Sequence, residues 1–174
     1  MQTRRLIGVV LLVQLVGLST ARAQDPARNF VAHLDGGQEV PERETLGQGQ
    51  AIFRLNDDGT ELTYRLIVAN IENVVASHIH LGVAGVNGPV VVFLFGPAAP
   101  GGGRVDGVIA TGTITAANLT GPLAGMSLSV LTAAMIADGT YVNVHTNDGV
   151  APANTGPGDF PGGEIRGQIR TAGR

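Results

Sequence analysis

The feature that most constrains this chain is the alternation of apolar and polar residues in short runs, each closed by glycine- or proline-bearing turns. Phe30, Ala32 and Leu34 alternate with Val31, His33 and Asp35, and Gly36-Gly37 ends that run. Ala51, Phe53 and Leu55 alternate with Ile52 and Arg54 before Asn56-Asp57-Asp58-Gly59, after which Leu62, Tyr64, Leu66 and Val68 share one face. Period two sends successive side chains to opposite faces, so each run reads as a strand with one apolar side. The Asn-Asp-Asp-Gly segment is hairpin chemistry, with Gly59 supplying a positive φ.

Further strands are expected at residues 77–81, 89–95, 108–114, 141–146 and 164–170, with loops at 82–88, 96–103 and 147–163. Residues 128–137 have helical spacing, and a short crossover helix is expected there, centred on Leu131 to Ala137 and closed by Asp138-Gly139. With 26 glycines and 9 prolines in 174 residues, turns recur often enough for an all-β fold. The expectation is an antiparallel Greek-key-like sandwich or barrel of about seven to nine strands with one short helix.

The first 23 residues read as a separate element. Arg4 and Arg5 precede an apolar run from Leu6 to Leu18, and Ala21-Arg22-Ala23 is a small-x-small cleavage site. This is the pattern of a secretory signal peptide, and the run is short for a membrane span; the alternative is an uncleaved membrane anchor. Cleavage after Ala23 gives a domain of residues 24–174 with Gln24 at its start, periplasmic or secreted, and without a membrane anchor. Its 14 acids against 8 arginines, with no lysine, make a net charge of −6. An acidic chain without a basic stripe argues against nucleic acid as a partner. The absence of cysteine removes disulfides, thiol nucleophiles and thiolate ligands, so a metal would have to be held by histidine, carboxylate or backbone.

The residues richest in chemistry are His78, His80 and His145. In His78-Ile79-His80 the two imidazoles share one strand face while Ile79 and Leu81 enter the apolar layer. In Tyr141-Val142-Asn143-Val144-His145 the valines take the core face and His145 the other. In the last strand Ile165 and Ile169 go inward, while Glu164, Arg166 and Gln168 go outward. If these strands are neighbours, one patch collects His78, His80, His145, Arg166 and Glu164. Three imidazoles with open positions suit copper or zinc, copper being favoured by affinity. Asn143, Glu164 or loop carbonyls would hydrogen-bond the second ring nitrogens. The alternative is a hydrogen-bonded structural cluster with Arg166 paired to Glu164 or Asp148. His33, beside Asp35, reads as surface. The glycines of 82–88 do not open a helix and make no phosphate cradle. No Ser-His-acid or paired-carboxylate arrangement stands out.

Several ordered motifs resemble those of the CHRD (chordin) domain family. They are Phe30-x-Ala-x-Leu-Asp-Gly-Gly-Gln-Glu-Val-Pro41, Ser77-His-Ile-His-Leu-Gly82, Asn87-Gly-Pro-Val-Val-Val92, Tyr141-Val-Asn-Val-His-Thr146 and Gly163-Glu-Ile-Arg-Gly-Gln-Ile169. The resemblance spans residues 30–170, and one departure is Glu42, where the family has a second proline. It implies a secreted β-domain; in chordin such domains belong to an extracellular antagonist of growth factors, which makes an extracellular protein partner possible. A fainter similarity is to copper–zinc superoxide dismutase, in the order His-x-His strand, Val-x-Val-His strand, glycine-rich loop, arginine-bearing final strand. By that analogy His78, His80 and His145 resemble copper ligands, and Arg166 resembles the arginine that attracts the anionic substrate. A bridging histidine between Leu81 and Tyr141, a zinc site and a disulfide are missing from the pattern. Three functions stay open at this level: a copper-binding exported protein without turnover, a protein-interaction or structural module, and a redox enzyme of the dismutase kind.

Overall fold

The structure is a computed structural model that describes residues 28–173; the expected signal peptide and its cleavage site lie outside the described residues. Nine strands form one antiparallel sheet: β1 (Asn29–Asp35), β2 (Gln48–Leu55), β3 (Leu62–Glu72), β4 (Val74–Leu81), β5 (Val90–Phe95), β6 (Arg104–Ile114), β7 (Thr140–Thr146), β8 (Ile165–Gln168) and β9 (Arg170–Thr171). Their spatial order is β5-β4-β7-β8-β1-β2-β3-β6, with β9 paired to β1. The two end strands, β5 and β6, approach each other without ladder pairing, so the sheet curls into a nearly closed barrel. Tyr64 on β3 spans the gap by donating its hydroxyl to the Leu94 carbonyl on β5 at 2.7 Å.

The expected alternation is what fills the barrel. Phe30, Ala32 and Leu34 of β1, Ala51 and Phe53 of β2, and Leu62, Leu66 and Val68 of β3 are all buried, together with Ile79, Val142, Val144, Ile165 and Ile169. Each fully buried Leu, Ile or Phe contributes about 1.5–3 kcal/mol by leaving water. The β2–β3 hairpin keeps its register from Leu55↔Leu62 to Gln48↔Ala69, and Gly59 at its turn has φ +70°. The α-helix α1 (Leu128–Ile136), the single one among the described residues, buries Leu128, Leu131, Thr132 and Met135 at helical spacing. It ends with Asp138 in the left-handed region, φ +54°, and Gly139 N–H bonded to the Ala134 carbonyl. An aspartate tolerates that conformation better than most side chains, so Asp138 takes the left-handed position ahead of Gly139 at little cost.

Two strands are longer than the alternation suggests. β4 begins at Val74 rather than Ser77, and β6 begins at Arg104 rather than Val108. Both extensions lie beside irregularities in the ladder, where period two is lost: the β3–β6 register shifts between Val68 and Ile71, and the β4–β7 register between Val74 and Ala76. The last expected strand is split at Ile169 into β8 and β9.

Candidate metal centre

The three sheet neighbours β4, β7 and β8 carry the polar face that the sequence marks. Antiparallel pairing sets His78 opposite Asn143, His80 opposite Tyr141 and Ala76 opposite His145. Asn143 in turn lies opposite Arg166. The core side of these strands carries Ile79, Val142, Val144 and Ile165 with the small hydroxyl residues Ser77 and Thr140, so the histidines, Tyr141, Asn143, Arg166 and Gln168 project to the outside of the barrel. That outside is covered rather than open. Tyr141, Asn143, Glu164, Arg166 and Gln168 are buried there, although the alternation presents them as outward. The cover is supplied by three connections: residues 36–47, 82–89 and 147–164.

His78, His80 and His145 come together on this face, and one nitrogen from each lies within 4.8 Å of the other two. The Nδ1 of His80 is 2.8 Å from the Gly88 carbonyl, and the Nδ1 of His145 is 2.8 Å from the Pro161 carbonyl. A carbonyl only accepts, so both Nδ1 atoms carry the proton and both Nε2 atoms keep a lone pair. The Nε2 of His80 is buried and has no hydrogen-bond partner. The Nε2 of His145 faces the Nδ1 of His78 at 3.0 Å. Two imidazole nitrogens on one metal ion, at bonds of about 2.0–2.1 Å, sit roughly 3–3.4 Å apart, so this spacing already suits a shared ion. The donor set therefore fits copper or zinc: His80 Nε2, His145 Nε2 and His78 Nδ1. Gly88 and Pro161 act as the carbonyls that hold the second nitrogens.

The surroundings keep the imidazoles neutral. Burial, followed by the neighbouring imidazoles of His145 and His80, pushes His78 down to about 4. Burial also lowers His80 and His145, against the opposing pull of the Gly88 and Pro161 carbonyls. Aromatic contacts fix the rings. Phe93 meets His78 edge-on at 4.8 Å, and Tyr141 stacks on His80 at 4.8 Å and 9°. The Arg166 guanidinium lies 3.4 Å from the Tyr141 ring centre, so the sheet order places Tyr141 between His80 and Arg166.

The other sequence-marked residues fall around this cluster at different distances. Arg166 is one aromatic ring away from His80. It makes no ion pair with Glu164 or Asp148; it donates to the Asn87 side chain at 3.1 Å and to the Val83 and Val86 carbonyls at 3.1 and 3.0 Å. Asn143 neighbours His80 and leaves its own Oδ1 without a partner. The carboxylate of Glu164 accepts from the hydroxyls of Thr45 and Thr146 and from the Gly158 amide, tying the long 147–164 loop to the sheet. His33 is exposed on β1, outside the cluster.

Of the partners expected for the second ring nitrogens, loop carbonyls are the ones found, those of Gly88 and Pro161, while the Glu164 carboxylate is engaged elsewhere. Which loop residues supply them, and the parts of Phe93 and Glu39, escaped the sequence reading. Phe93 occupies the polar face of β5. Glu39 is buried in the 36–47 connection, and burial raises it from 4.5 to about 7 despite the opposing Arg166 charge. The signal that could have found Glu39 is its place in Gln38-Glu39-Val40-Pro41, a charged residue amid a family-like motif.

The sequence profile of the CHRD domain matches residues 30–169, from the second residue of β1 to the break between β8 and β9. The match covers most of the chain, and the protein belongs to the CHRD domain family. No curated protein and no solved structure matches it.

Proposed function

We propose that this is an exported CHRD-domain protein, periplasmic or secreted, whose residues 24–174 hold one copper ion on His78, His80 and His145. The role that fits is sequestration or protection without turnover. The observation that carries this reading is the convergence of three imidazole nitrogens within 4.8 Å, one of them the buried, unpartnered Nε2 of His80. Leaving a buried acceptor unpaired costs about 1–3 kcal/mol, and a metal ion removes that cost. Bound copper would supply a Lewis-acidic, redox-active centre; the chain supplies neutral ligands, fixed ring orientations and a covered face. In the metal-free protein the His78 Nδ1–H donates to His145 Nε2, so loading the site moves that proton to the other nitrogen of His78. Copper is preferred to zinc because raw affinity at nitrogen sites follows that order. Arg166, Asn143 and Glu164 form the surrounding shell, and the Arg166 charge favours small anions near the ion. The test is copper titration of the wild type beside His78→Ala, His80→Ala, His145→Ala and His33→Ala. Each of the first three should lose at least about tenfold in affinity, and His33→Ala should bind as the wild type does. Equal binding by all five proteins refutes the assignment. Superoxide consumption by the copper-loaded form would move the reading to a redox enzyme.

Phe93, 57% exposed and in contact with His78, favours a second reading in which this face docks an extracellular protein. Exposed aromatics of this kind anchor interfaces. Phe93→Ala would then abolish partner capture while leaving copper affinity within about twofold.

A further inference from the structure

Asn143 sits at the centre of the histidine cluster rather than at its margin. It lies directly opposite His78 across the β4–β7 ladder, and two residues before His145 on β7, where side chains return to the same face. Its diagonal neighbour is His80, which pairs with Tyr141, and the Asn143 side chain lies against that imidazole. Residues opposite each other in such a ladder have Cβ atoms about 4.5–5.5 Å apart, within reach of a side chain as short as asparagine. Asn143 is 4% exposed, and its Oδ1 is buried without a partner. The Nε2 of His80 is in the same state. The amide also has a defined direction. Its Nδ2 lies 3.0 Å from the position that a Cβ on Gly163 would take, and the carboxyl carbon of Glu39 lies 2.9 Å from that same point. The nitrogen end therefore faces the Glu39 carboxyl, which is where an N–H donor belongs, and the oxygen is the end left for the imidazoles.

Two lone pairs in one buried cluster, on His80 Nε2 and Asn143 Oδ1, cannot satisfy one another; a donor or a cation has to come between them. The ring proton of His80 is already spent on the Gly88 carbonyl at 2.8 Å. A cation that takes the three imidazole nitrogens can take this oxygen too. The competing oxygens of the face are engaged. The Glu164 carboxylate accepts from Thr45, Thr146 and the Gly158 amide, and the Tyr141 hydroxyl accepts from the Gly88 amide. We propose that Asn143 is a fourth ligand of the site, its Oδ1 binding the ion held by His78, His80 and His145. This rests on the three-histidine reading and adds one donor to it. Copper in trigonal sites takes a weak axial ligand of this kind, an amide or backbone oxygen. All four donors come from the chain itself, so holding the ion requires no outside ligand, as retention without turnover demands.

The experiment uses the full mature protein, grown with asparagine that carries a spin-bearing carbon isotope at Cγ and loaded with Cu(II). Pulsed electron–nuclear resonance should detect, in the wild type, the hyperfine coupling of a carbonyl carbon whose oxygen is bound to the copper. Asn143→Asp keeps the oxygen but not the label, so it should bind copper at least as tightly and lose the coupling. Asn143→Leu, of similar volume and without a donor, should lose the coupling and weaken copper by about tenfold. A merely structural part for Asn143 would weaken the leucine variant without giving the wild type any such coupling. The proposal fails if the copper-loaded wild type lacks the coupling, or if the coupling persists in Asn143→Asp. Should Asn143→Leu not fold, the wild type beside Asn143→Asp decides. Copper held no more tightly by the wild type than by His78→Ala overturns the three-histidine reading and this inference with it; copper held by the three histidines without the coupling overturns Asn143 alone.

Discussion

The Nδ1 atom of His78 lies 3.0 Å from the Nε2 atom of His145, although 67 residues separate them in sequence. The contact exists because β4 and β7 pair antiparallel with His145 opposite Ala76, which makes His78 and His145 diagonal neighbours on one face. Two cationic imidazoles would repel at this distance, so the pair cannot hold two protonated rings, and burial is what keeps His78 neutral.

That neutrality gives a pH prediction. The unfolded chain takes up protons on its histidines near 6.5, whereas folded His78 does so only at about 4. The unfolded state therefore binds more protons in this window, and stability falls as pH drops from about 6.5 to about 4. His80 and His145 act in the same direction. Glu39 acts oppositely: raised from 4.5 to about 7, its contribution is complete below 4.5 and lost as pH rises toward 7. Relative to His78→Phe, which keeps the opposing Glu39 contribution and lacks that of His78, the metal-free wild type should lose urea stability as pH falls from about 6.5 to about 4. A wild-type profile as flat as that of His78→Phe would contradict the neutral cluster. Copper binding should persist below pH 6.5, the limit that an ordinary imidazole would set, and weaken toward 4.

Gly88 carries the carbonyl that orients His80, and it has no room for a side chain. A Cβ there would collide with the Leu81 backbone carbonyl and meet its carbon at 2.8 Å. Gly88→Ala should cost about 2 kcal/mol or more and should weaken copper binding as well, because the carbonyl must move. Gly85→Ala is the comparison: its Cβ meets nothing within 4 Å, and only its φ of +77° is strained. It should cost about 1 kcal/mol and leave copper affinity unchanged. Thermal melts and copper titration of the two variants make the test.

Arg166 should serve both structure and anion affinity. It is 1% exposed and holds the 82–88 loop through three hydrogen bonds. Arg166→Ala leaves those oxygens unpaired and should cost about 2–4 kcal/mol. In the copper-loaded protein it should also weaken azide binding. Arg166→Lys keeps the charge but not the planar fork, so it should recover azide affinity more than stability. Unchanged azide affinity in Arg166→Ala would assign the residue to loop anchoring alone.

Export predicts a defined mature terminus. Intact mass of the secreted protein should correspond to a chain starting at Gln24. Retention of residues 1–23 on most molecules would overturn the cleavage site.

Much of this protein was legible in its sequence because period two is a local property. Phe30, Ala32 and Leu34, or Val142 and Val144, declare their common face within a few residues, and the hairpin at Gly59 declares its turn. The same rule put His78 with His80, and His145 with Asn143. It could not say that β4 and β7 are adjacent, since pairing between distant strands depends on the closure of the whole barrel. Nor could it say that the face opposite the core is covered. Alternation labels Tyr141, Glu164, Arg166 and Gln168 as polar-side residues; only the packing of loops 36–47, 82–89 and 147–164 over them makes that side a second interior. Which ring nitrogens keep a lone pair was decided at the same level. Backbone carbonyls of Gly88 and Pro161 take the Nδ1 protons of His80 and His145, and a carbonyl has no sequence signature. Local alternation determined which side chains share a face, while long-range pairing and loop coverage decided which of them meet, which are dry and which nitrogen is free.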